Sequence, residues 1–458
     1  MALSGTLDPS NLQAVFKAYD VRGTVPDQLD EDFARRVGAA FVQVTGAPTV
    51  VVGHDMRPSS PGMAGAFAQG AADQGADVVL IGLASTDQLY FASGHLGHAG
   101  AMFTASHNPA QYNGIKMCRA NAVPIGTDTG LSEIRDLVGG PAPAPASSTG
   151  NITEHDVLEA YAAHVLSLAP VKGRRLKVVV DAGNGMAGLT APAVFERLGD
   201  DRAEIVPMYF ELDGSFPNHE ANPIDEETLT DLKARVVAES ADIGLAFDGD
   251  ADRCFLVDEN GRAVSPSTLT ALIADRELTR VPGSKVIHNL ITSKAVPEIV
   301  AEKGGTAVRT RVGHSYIKAT MAETDAVFGG EHSGHFYFRD FWRADSGMLA
   351  ALHALAALAE TDVTLSQLLA SYERYPMSGE INSTVGDQAA VLAQLESTYG
   401  AQDGVTLDEL DGLTVDHADW WFNVRASNTE PLLRLNVEGK DEPTMARVRD
   451  EVLAVIRR

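Results

Sequence analysis

Three aspartates stand at alternate positions, Asp248, Asp250 and Asp252, in the stretch DGDADR (248–253), directly after an apolar run. In an extended backbone, residues i, i+2 and i+4 share one side. Three carboxylates so placed repel one another unless a cation lies among them, and all-oxygen donors favour a hard ion, Mg²⁺ or Ca²⁺. Arg253, next in the chain, suits an anionic ligand that bridges guanidinium and metal. The rival reading is a non-catalytic calcium loop of the EF-hand kind, with Glu259 at its twelfth place. That loop requires glycine at the sixth place, where Arg253 stands, and a helix before it rather than a strand. A solvated acidic turn is the plainest alternative.

A second stretch, FTASHNP (103–109), sets Ser106 beside His107 at the end of a strand-like run, with Tyr112, Asn113, Gly114 and Lys116 close behind. No G-x-S-x-G elbow surrounds the serine. His107 is its immediate neighbour and should point away from it in extended chain, so a protease-like relay is not expected. No P-loop is present, since Gly439-Lys440 is followed by Asp441. GGEHSGH (329–335) carries Glu331, Ser333 and His335 at alternate positions in a glycine-rich turn, where the backbone can approach a ligand. Placed on one side, these three suit the hydroxyls of a sugar. RASNTEP (425–431) offers Arg425, Ser427, Asn428 and Thr429, a guanidinium fork with neutral donors that suits a phosphate. YDVRG (19–23), GHDMRPSS (53–60) and TRVGHSYIK (310–318) each place a cation or imidazole at a turn. Taken singly, GGEHSGH and RASNTEP read equally as ordinary polar turns, and each of the other three segments is more often a structural turn than a site. GNGMAG (183–188) matches G-x-G-x-x-G after a strand, with Glu211 near the place of the acid that a dinucleotide site needs. A dinucleotide-dependent oxidoreductase is therefore an alternative from another class. A tight strand-to-helix turn is preferred, because no second mononucleotide half follows.

The elements that must position these residues are short apolar strands between Ala-rich helices. TVVVG (49–53), ADVVLIG (76–82), KVVVDAG (177–183), IVPMYF (205–210), ADIGLAFD (241–248) and SKVIHNLI (284–291) read as strands. DEDFARRVGAAFVQVTG (30–46) has its apolar positions at helical spacing. Strands separated by helices predict βαβ units and parallel-type sheets. GGPAPAPASSTGN (139–151) is a linker by composition, DENGR (258–262) is a hairpin-like break, and ERYPMSGEIN (373–382) is a third break. The divisions expected are 1–148, 149–257, 258–373 and a shorter α+β segment, 374–458.

The chain has 458 residues, enough for about three or four domains. Its formal charge of −26 excludes a general nucleic-acid binder, which needs a basic surface. Cys118 and Cys254 make no disulfide framework and suit a reducing compartment. MALSGTLDPS lacks the pattern of a signal peptide, and GMLAALHALAALA (347–359) is too short to span a bilayer. A cytoplasmic protein without membrane or nucleic-acid partners is expected. Together the motifs describe phosphoryl transfer without a nucleotide: a serine to carry the group, a metal triad, cations for the loose transition state, and loops for a sugar and a second phosphate.

TASHNP, DGDADR, GEHSGH and RASNTEP, in this order and with YDVRG ahead of them, make the chain resemble the α-D-phosphohexomutases, the phosphomannomutase/phosphoglucomutase group, over essentially its whole length. The resemblance implies three related α/β domains with mixed sheets and a smaller α+β C-terminal domain around a central cleft. It implies that Ser106 carries the phosphoryl group and, with Asp248, Asp250 and Asp252, binds Mg²⁺ beside Arg253. It implies hexose phosphates as substrates and a hexose 1,6-bisphosphate as intermediate and activator. Glu331 and Ser333, with His335 in the same loop, would meet sugar hydroxyls; Arg425, Ser427, Asn428 and Thr429 would hold the phosphate that is not reacting. Tyr19, Arg22, His107, Lys116 and His314 fall on positions lining the family's site, with Lys116 and Arg22 candidates for proton transfer or charge balance. Mannose 6-phosphate and mannose 1-phosphate are the expected pair, with glucose phosphates as further substrates and phosphoglucosamine mutase as the alternative. A monomer or homodimer is expected. One departure affects substrate preference: where some bacterial members carry a sugar-contacting lysine, this chain reads Ile291-Thr292-Ser293, with Lys294 one place on.

Overall fold

A computed structural model describes residues 8–141, 143–426 and 432–458, and the side chain of His314 is not among the described groups. Ser427, Asn428 and Thr429 therefore lie outside the described residues. The chain divides into two compact units, one built from residues up to 265 with 333–366, the other from 266–332 with 367–458.

In the first unit one mixed sheet runs in the order Val21–Thr24, Tyr112–Arg119, Ala99–Phe103, Thr49–His54, Asp77–Leu83, Ile152–Glu154, with Val123–Pro124 paired to Tyr112–Arg119. Thr49–His54 is parallel to both its neighbours, while Tyr112–Arg119 is antiparallel to all three of its own. The strands predicted at 49–53 and 76–82 form here as Thr49–His54 and Asp77–Leu83, with Val50, Val51, Val52, Val78 and Ile81 buried. Helix Glu31–Thr45 supplies Phe33, Val37 and Phe41 to a core that also takes Val50, Val52, Phe67 and Phe103. That helix starts where expected, with the Asp30 carboxylate accepting from the Phe33 N–H at 2.7 Å and Gly46 closing it in the left-handed region. Residues 152–154, beyond the linker, add a strand to this same sheet.

A second mixed sheet in this unit has the order Ala263–Val264, Cys254–Val257, Ile243–Phe247, Leu176–Asp181, Ala203–Met208. The last three strands are parallel, and the first two form an antiparallel hairpin. The division expected at 257/258 falls in the turn of that hairpin. The predicted helix at 347–359 is helix Gly347–Ala359, every residue of it buried, capped by Ser346, whose hydroxyl accepts from the Leu349 N–H. In the second unit Thr306–Thr310, Lys285–Asn289 and Phe328–Gly330 pair in parallel. The C-terminal segment forms an antiparallel sheet in the order Met377–Thr384, Leu432–Gly439, Trp420–Ala426, Leu413–His417, Thr406–Asp408. Helices Gln388–Tyr399 and Glu442–Ile456 cover it through Leu395, Tyr399, Val448 and Val452. This α+β segment matches the expected class. No described helix is long and apolar enough to cross a membrane.

GNGMAG forms a tight turn from strand Leu176–Asp181 into helix Ala187–Leu198. A β-carbon on Gly188 would sit 2.2 Å from the Phe210 carbonyl oxygen, and one on Gly185 2.7 Å from that of Gly249. The closeness these glycines allow is to the protein's own backbone, as the turn reading expects. Glu211 lies exposed beyond the next strand, and its carbonyl accepts from Asn184 Nδ2.

Candidate active site

The acidic stretch and the serine meet in the first unit. Strand Ile243–Phe247 ends at Asp248, strand Ala99–Phe103 ends just before Thr104, and the Ser106 hydroxyl donates to Asp248 Oδ2 at 2.8 Å. Gly249 makes this meeting possible, since a β-carbon there would lie 2.4 Å from the Ser106 carbonyl oxygen. The three aspartates do converge, one carboxylate oxygen of each lying within 4.8 Å of the others. The reason given from sequence is corrected: residues 248–253 form a turn rather than extended chain, with Ala251 at φ +60°. The turn, not strand alternation, brings the carboxylates together.

The expectation that His107 points away from Ser106 is corrected too. Ser106 is left-handed, φ +50°, which swings the two side chains to one side, and His107 Nδ1 lies 3.2 Å from Ser106 Oγ. Burial, together with the nearby Arg253 and Arg22 charges, holds His107 well below the usual histidine range and keeps it neutral.

Side chains from several elements hold the three carboxylates. Asp248 accepts from Arg253 Nε at 2.8 Å as well as from Ser106. Asp250 Oδ2 accepts from the Thr86 hydroxyl at 2.6 Å and from Lys116 Nζ at 2.7 Å. Asp252 Oδ2 accepts from the same ammonium at 2.6 Å. Lys116 is thus placed by strand Tyr112–Arg119 between two carboxylates. Burial alone would lower it, but Asp250 and Asp252 raise it well above the usual lysine range. Burial pushes Asp248 up to about 7, with repulsion from Asp250 and Asp252 adding to it and Arg253 opposing. Burial acts the same way on Asp250, yet Lys116 and Thr86 hold it well below the usual carboxylate range.

These residues fit a metal ion. Asp250 Oδ1 and Asp252 Oδ1 are buried without a hydrogen-bond partner, a costly arrangement for carboxylate oxygens. Counting charges over the cluster, three carboxylates against Lys116 and Arg253 leave one negative charge. Oxygen donors with excess negative charge can hold a hard cation.

His335 joins this cluster. Its Nδ1 is 3.0 Å from Asp345 Oδ2 and 3.7 Å from Asp252 Oδ1, and burial, which lowers it, is outweighed by the two carboxylates. Arg22 donates to Asn108 Oδ1 at 2.7 Å and pairs with Asp20. Tyr19 is half-buried at the same N-terminal turn.

The second unit carries other expected residues. Glu331 is buried, and its Oε1 accepts from the Gly313 N–H at 3.0 Å and from Asn289 Nδ2 at 3.4 Å. His314 opens helix His314–Thr324. Arg425, at the end of strand Trp420–Ala426, donates to Glu380 Oε2 at 2.8 Å. Lys294 is committed elsewhere: its Nζ lies 2.5 Å from Asp416 Oδ1 and donates to the His417 carbonyl at 2.8 Å. Ser333 lies half-buried in the first unit, two residues before His335. Three residues at the cluster were not singled out from sequence. They are Thr86, Asp87 and Asp345, and nothing in their local stretches marks them.

Comparison with known proteins gives one answer along the chain. It matches the family models for phosphoglucomutase/phosphomannomutase alpha/beta/alpha domain I over residues 13–140, domain II over 159–261 and domain III over 265–375, and that for the C-terminal domain over 380–455. A Xanthomonas campestris protein named for phosphohexose mutases is 42% identical over 443 residues, 96% of this chain and 98% of its own. A Salmonella montevideo phosphomannomutase is 40% identical, again over 96% of this chain and 98% of its own. The crystal structure of a Burkholderia thailandensis phosphoglucomutase/phosphomannomutase family protein superposes with a TM-score of 0.88 at 33% identity, covering 97% of each chain. The chain belongs to the phosphoglucomutase/phosphomannomutase family; it is a phosphohexomutase, an isomerase of sugar phosphates.

Proposed function

We propose that this phosphohexomutase is a phosphomannomutase, interconverting mannose 6-phosphate and mannose 1-phosphate through phosphorylated Ser106 and a hexose 1,6-bisphosphate, with Mg²⁺ held by Ser106, Asp248, Asp250 and Asp252. The observation that carries the mechanism is the 2.8 Å hydrogen bond from Ser106 Oγ to Asp248, inside a buried acid cluster with two unpartnered carboxylate oxygens. The name phosphomannomutase on relatives about 40% identical over nearly the full length supports the sugar.

In the forward half, the free C1 hydroxyl of mannose 6-phosphate forms a bond to the phosphoserine phosphorus as the bond to Ser106 Oγ breaks. The proton lost by the sugar hydroxyl ends on Ser106 Oγ, a reading supported by the hydrogen bond that this hydroxyl donates to Asp248 Oδ2. His107, neutral and 3.2 Å from Oγ, is in the form that can pass that proton. Lys116, paired with two carboxylates that hold it well above the usual lysine range, serves as a balancing charge rather than a base. Bound Mg²⁺ supplies electrostatic stabilisation of the transferring phosphoryl oxygens. The bisphosphate turns over, and its C6 phosphoryl group passes back to Ser106. Glu331 and Ser333 then meet the sugar hydroxyls, with His335 in the same loop and Tyr19 and His314 as further contacts. Arg425, Ser427, Asn428 and Thr429 hold the distal phosphate, and Arg22 balances charge near the reacting oxygen. A free hexose 1,6-bisphosphate activates by phosphorylating Ser106. Glucose phosphates are secondary substrates, because a C2 epimer is discriminated weakly where no group binds that hydroxyl.

The test is turnover of mannose 1-phosphate and glucose 1-phosphate side by side, with Mg²⁺ and hexose 1,6-bisphosphate, using Ser106→Ala as control. Wild-type turnover of mannose 1-phosphate at the higher kcat/KM, lost in a folded Ser106→Ala, is expected. Full activity in that variant would sink the phosphoserine assignment, and a preference for glucose 1-phosphate would sink the choice of sugar.

A further inference from the structure

Arg57, from GHDMRPSS, is 1% exposed, and every N–H of its guanidinium is committed. Nε donates to Asp55 Oδ2 at 3.1 Å. One terminal nitrogen donates to the carbonyls of Pro109 at 2.8 Å and Tyr112 at 3.0 Å. The other donates to those of Ser106 at 2.9 Å and Asn108 at 2.6 Å. A guanidinium has five N–H donors, and all five are accounted for. Four of the acceptors are backbone oxygens of one segment, 106–112, the loop that carries the serine.

That loop needs holding. Ser106 is left-handed at φ +50°, a conformation that non-glycine residues keep only when the surroundings impose it. Its side chain must nevertheless meet Asp248 at hydrogen-bond distance. The clamp itself is fixed from behind. Asp55 also accepts from the Arg57 N–H at 3.0 Å and from the Ser60 hydroxyl at 2.5 Å, and Asn113 donates to Ser59 and Ser60. The Phe216 ring lies 5.2 Å from the guanidinium carbon. An aromatic face there screens the bonds from water and favours the cation.

We infer that Arg57 is a positioning residue for the mutase reaction: it binds no phosphate, having no donor left for one, and sets the backbone of Ser106 so that its hydroxyl faces the metal cluster. The inference rests on the phosphoserine reading of the site. An arginine this close to a phosphoryl-carrying serine invites a role as phosphate ligand, and the two roles predict different kinetics. A ligand changes substrate binding; a clamp changes how often the serine is correctly placed.

The test compares wild type, Arg57→Lys and Phe216→Ala by steady-state kinetics with mannose 1-phosphate and by hydrogen exchange over 104–113. A lysine ammonium has three donors for five partners. In folded Arg57→Lys, kcat is expected to fall about 100-fold, the scale of a small misplacement of a reacting group, with KM within about twofold of wild type. Exchange at the Asn108 and Tyr112 amides, which bond to Ala105 and Pro109, is expected to quicken. A KM rise at unchanged kcat, or wild-type kcat in the folded variant, overturns the inference. Should Arg57→Lys fail to fold, Phe216→Ala decides: it keeps all five bonds but uncovers them, and kcat is expected to drop about two- to fivefold at constant KM. Unchanged kcat there overturns the inference. Absence of wild-type turnover on any hexose phosphate would refute the mutase reading instead, while unchanged exchange over 104–113 in Arg57→Lys would still refute the clamp.

Discussion

Thr86→Val tests whether the acid cluster is tuned by its supports. The threonine hydroxyl donates to Asp250 Oδ2 at 2.6 Å, and both side chains are fully buried. Valine keeps the volume and the branching, and the backbone bond from the Thr86 N–H to the Asp250 carbonyl, 3.0 Å, is untouched. The change therefore removes one donor to a charged group, worth about 1.5–3 kcal/mol. Lys116 remains on the same oxygen at 2.7 Å, which favours the low end. At about 1.4 kcal/mol per tenfold, the expected loss of metal affinity is roughly tenfold. That agrees with the cost of removing partners that orient metal ligands, about 10- to 100-fold. Two assays apply: activity as a function of Mg²⁺, and Mn²⁺ binding followed by paramagnetic resonance without substrate. Half-saturation should rise about tenfold in both, with activity regained at high Mg²⁺. Half-saturation within twofold of wild type, in a folded variant, would refute the idea that Thr86 orients Asp250. Equal loss of activity at every Mg²⁺ concentration would show a structural defect instead.

Two further predictions follow from buried charges. Asp87 accepts from Tyr161 at 2.7 Å and Ser346 at 2.6 Å, and also from Ser85; burial pushes its carboxyl up to about 6 from the usual 3.8. A raised acid favours folding while protonated, so its contribution is full below about pH 4 and is lost as pH rises through 6, about 3 kcal/mol in all. Asp87→Asn should flatten the fall in melting temperature between pH 4 and 6.5 relative to wild type; parallel curves would count against it. Arg425→Gln should raise KM for the hexose phosphate about tenfold or more with a smaller change in kcat, as loss of a charge-assisted phosphate contact requires; an unchanged KM would remove Arg425 from the phosphate site.

Much of the scaffold was legible because its signals are local. The runs at 49–53, 76–82, 177–183 and 284–291 centre on consecutive apolar residues, 50–52, 78–81, 178–180 and 286–287, and each is a strand within two residues of its expected limits. The aspartates were legible as a cluster because three like charges in five residues need a common partner. The path to it was not, since periodicity describes regular backbone and says nothing of a turn with Ala251 at φ +60°. His107 was misread for the same reason, through the left-handed Ser106. Thr86 meets Asp250 across 164 residues of chain, and Asp87 meets Ser346 across 259. Contacts so distant leave no trace in spacing, and a single threonine or aspartate at a helix start already has an ordinary explanation as a cap. Arg57 was visible only as an arginine near a turn, because four of its five acceptors are backbone oxygens, and carbonyls carry no residue code.

The charge balance of the cluster links the serine's state to the cation. Asp248, Asp250 and Asp252 against Lys116 and Arg253 leave one negative charge around Ser106 Oγ. A phosphoryl group on that oxygen carries nearly two more at neutral pH. Without a cation it would sit buried among like charges, and the cluster would shed charge by protonating, as the raised Asp248 already indicates. A divalent ion turns the surplus to one positive charge, which attracts the phosphoryl group and restores Asp248 as an acceptor. On the proposed reading, metal and phosphoserine therefore stabilise each other, so the phosphorylated enzyme should hold the cation more tightly than the dephosphorylated one. The same coupling gives the hydroxyl form a reason to bind its proton toward Asp248: with the phosphoryl group gone, the Ser106 hydroxyl adds its hydrogen bond to the one that Asp248 Oδ2 accepts from Arg253 Nε.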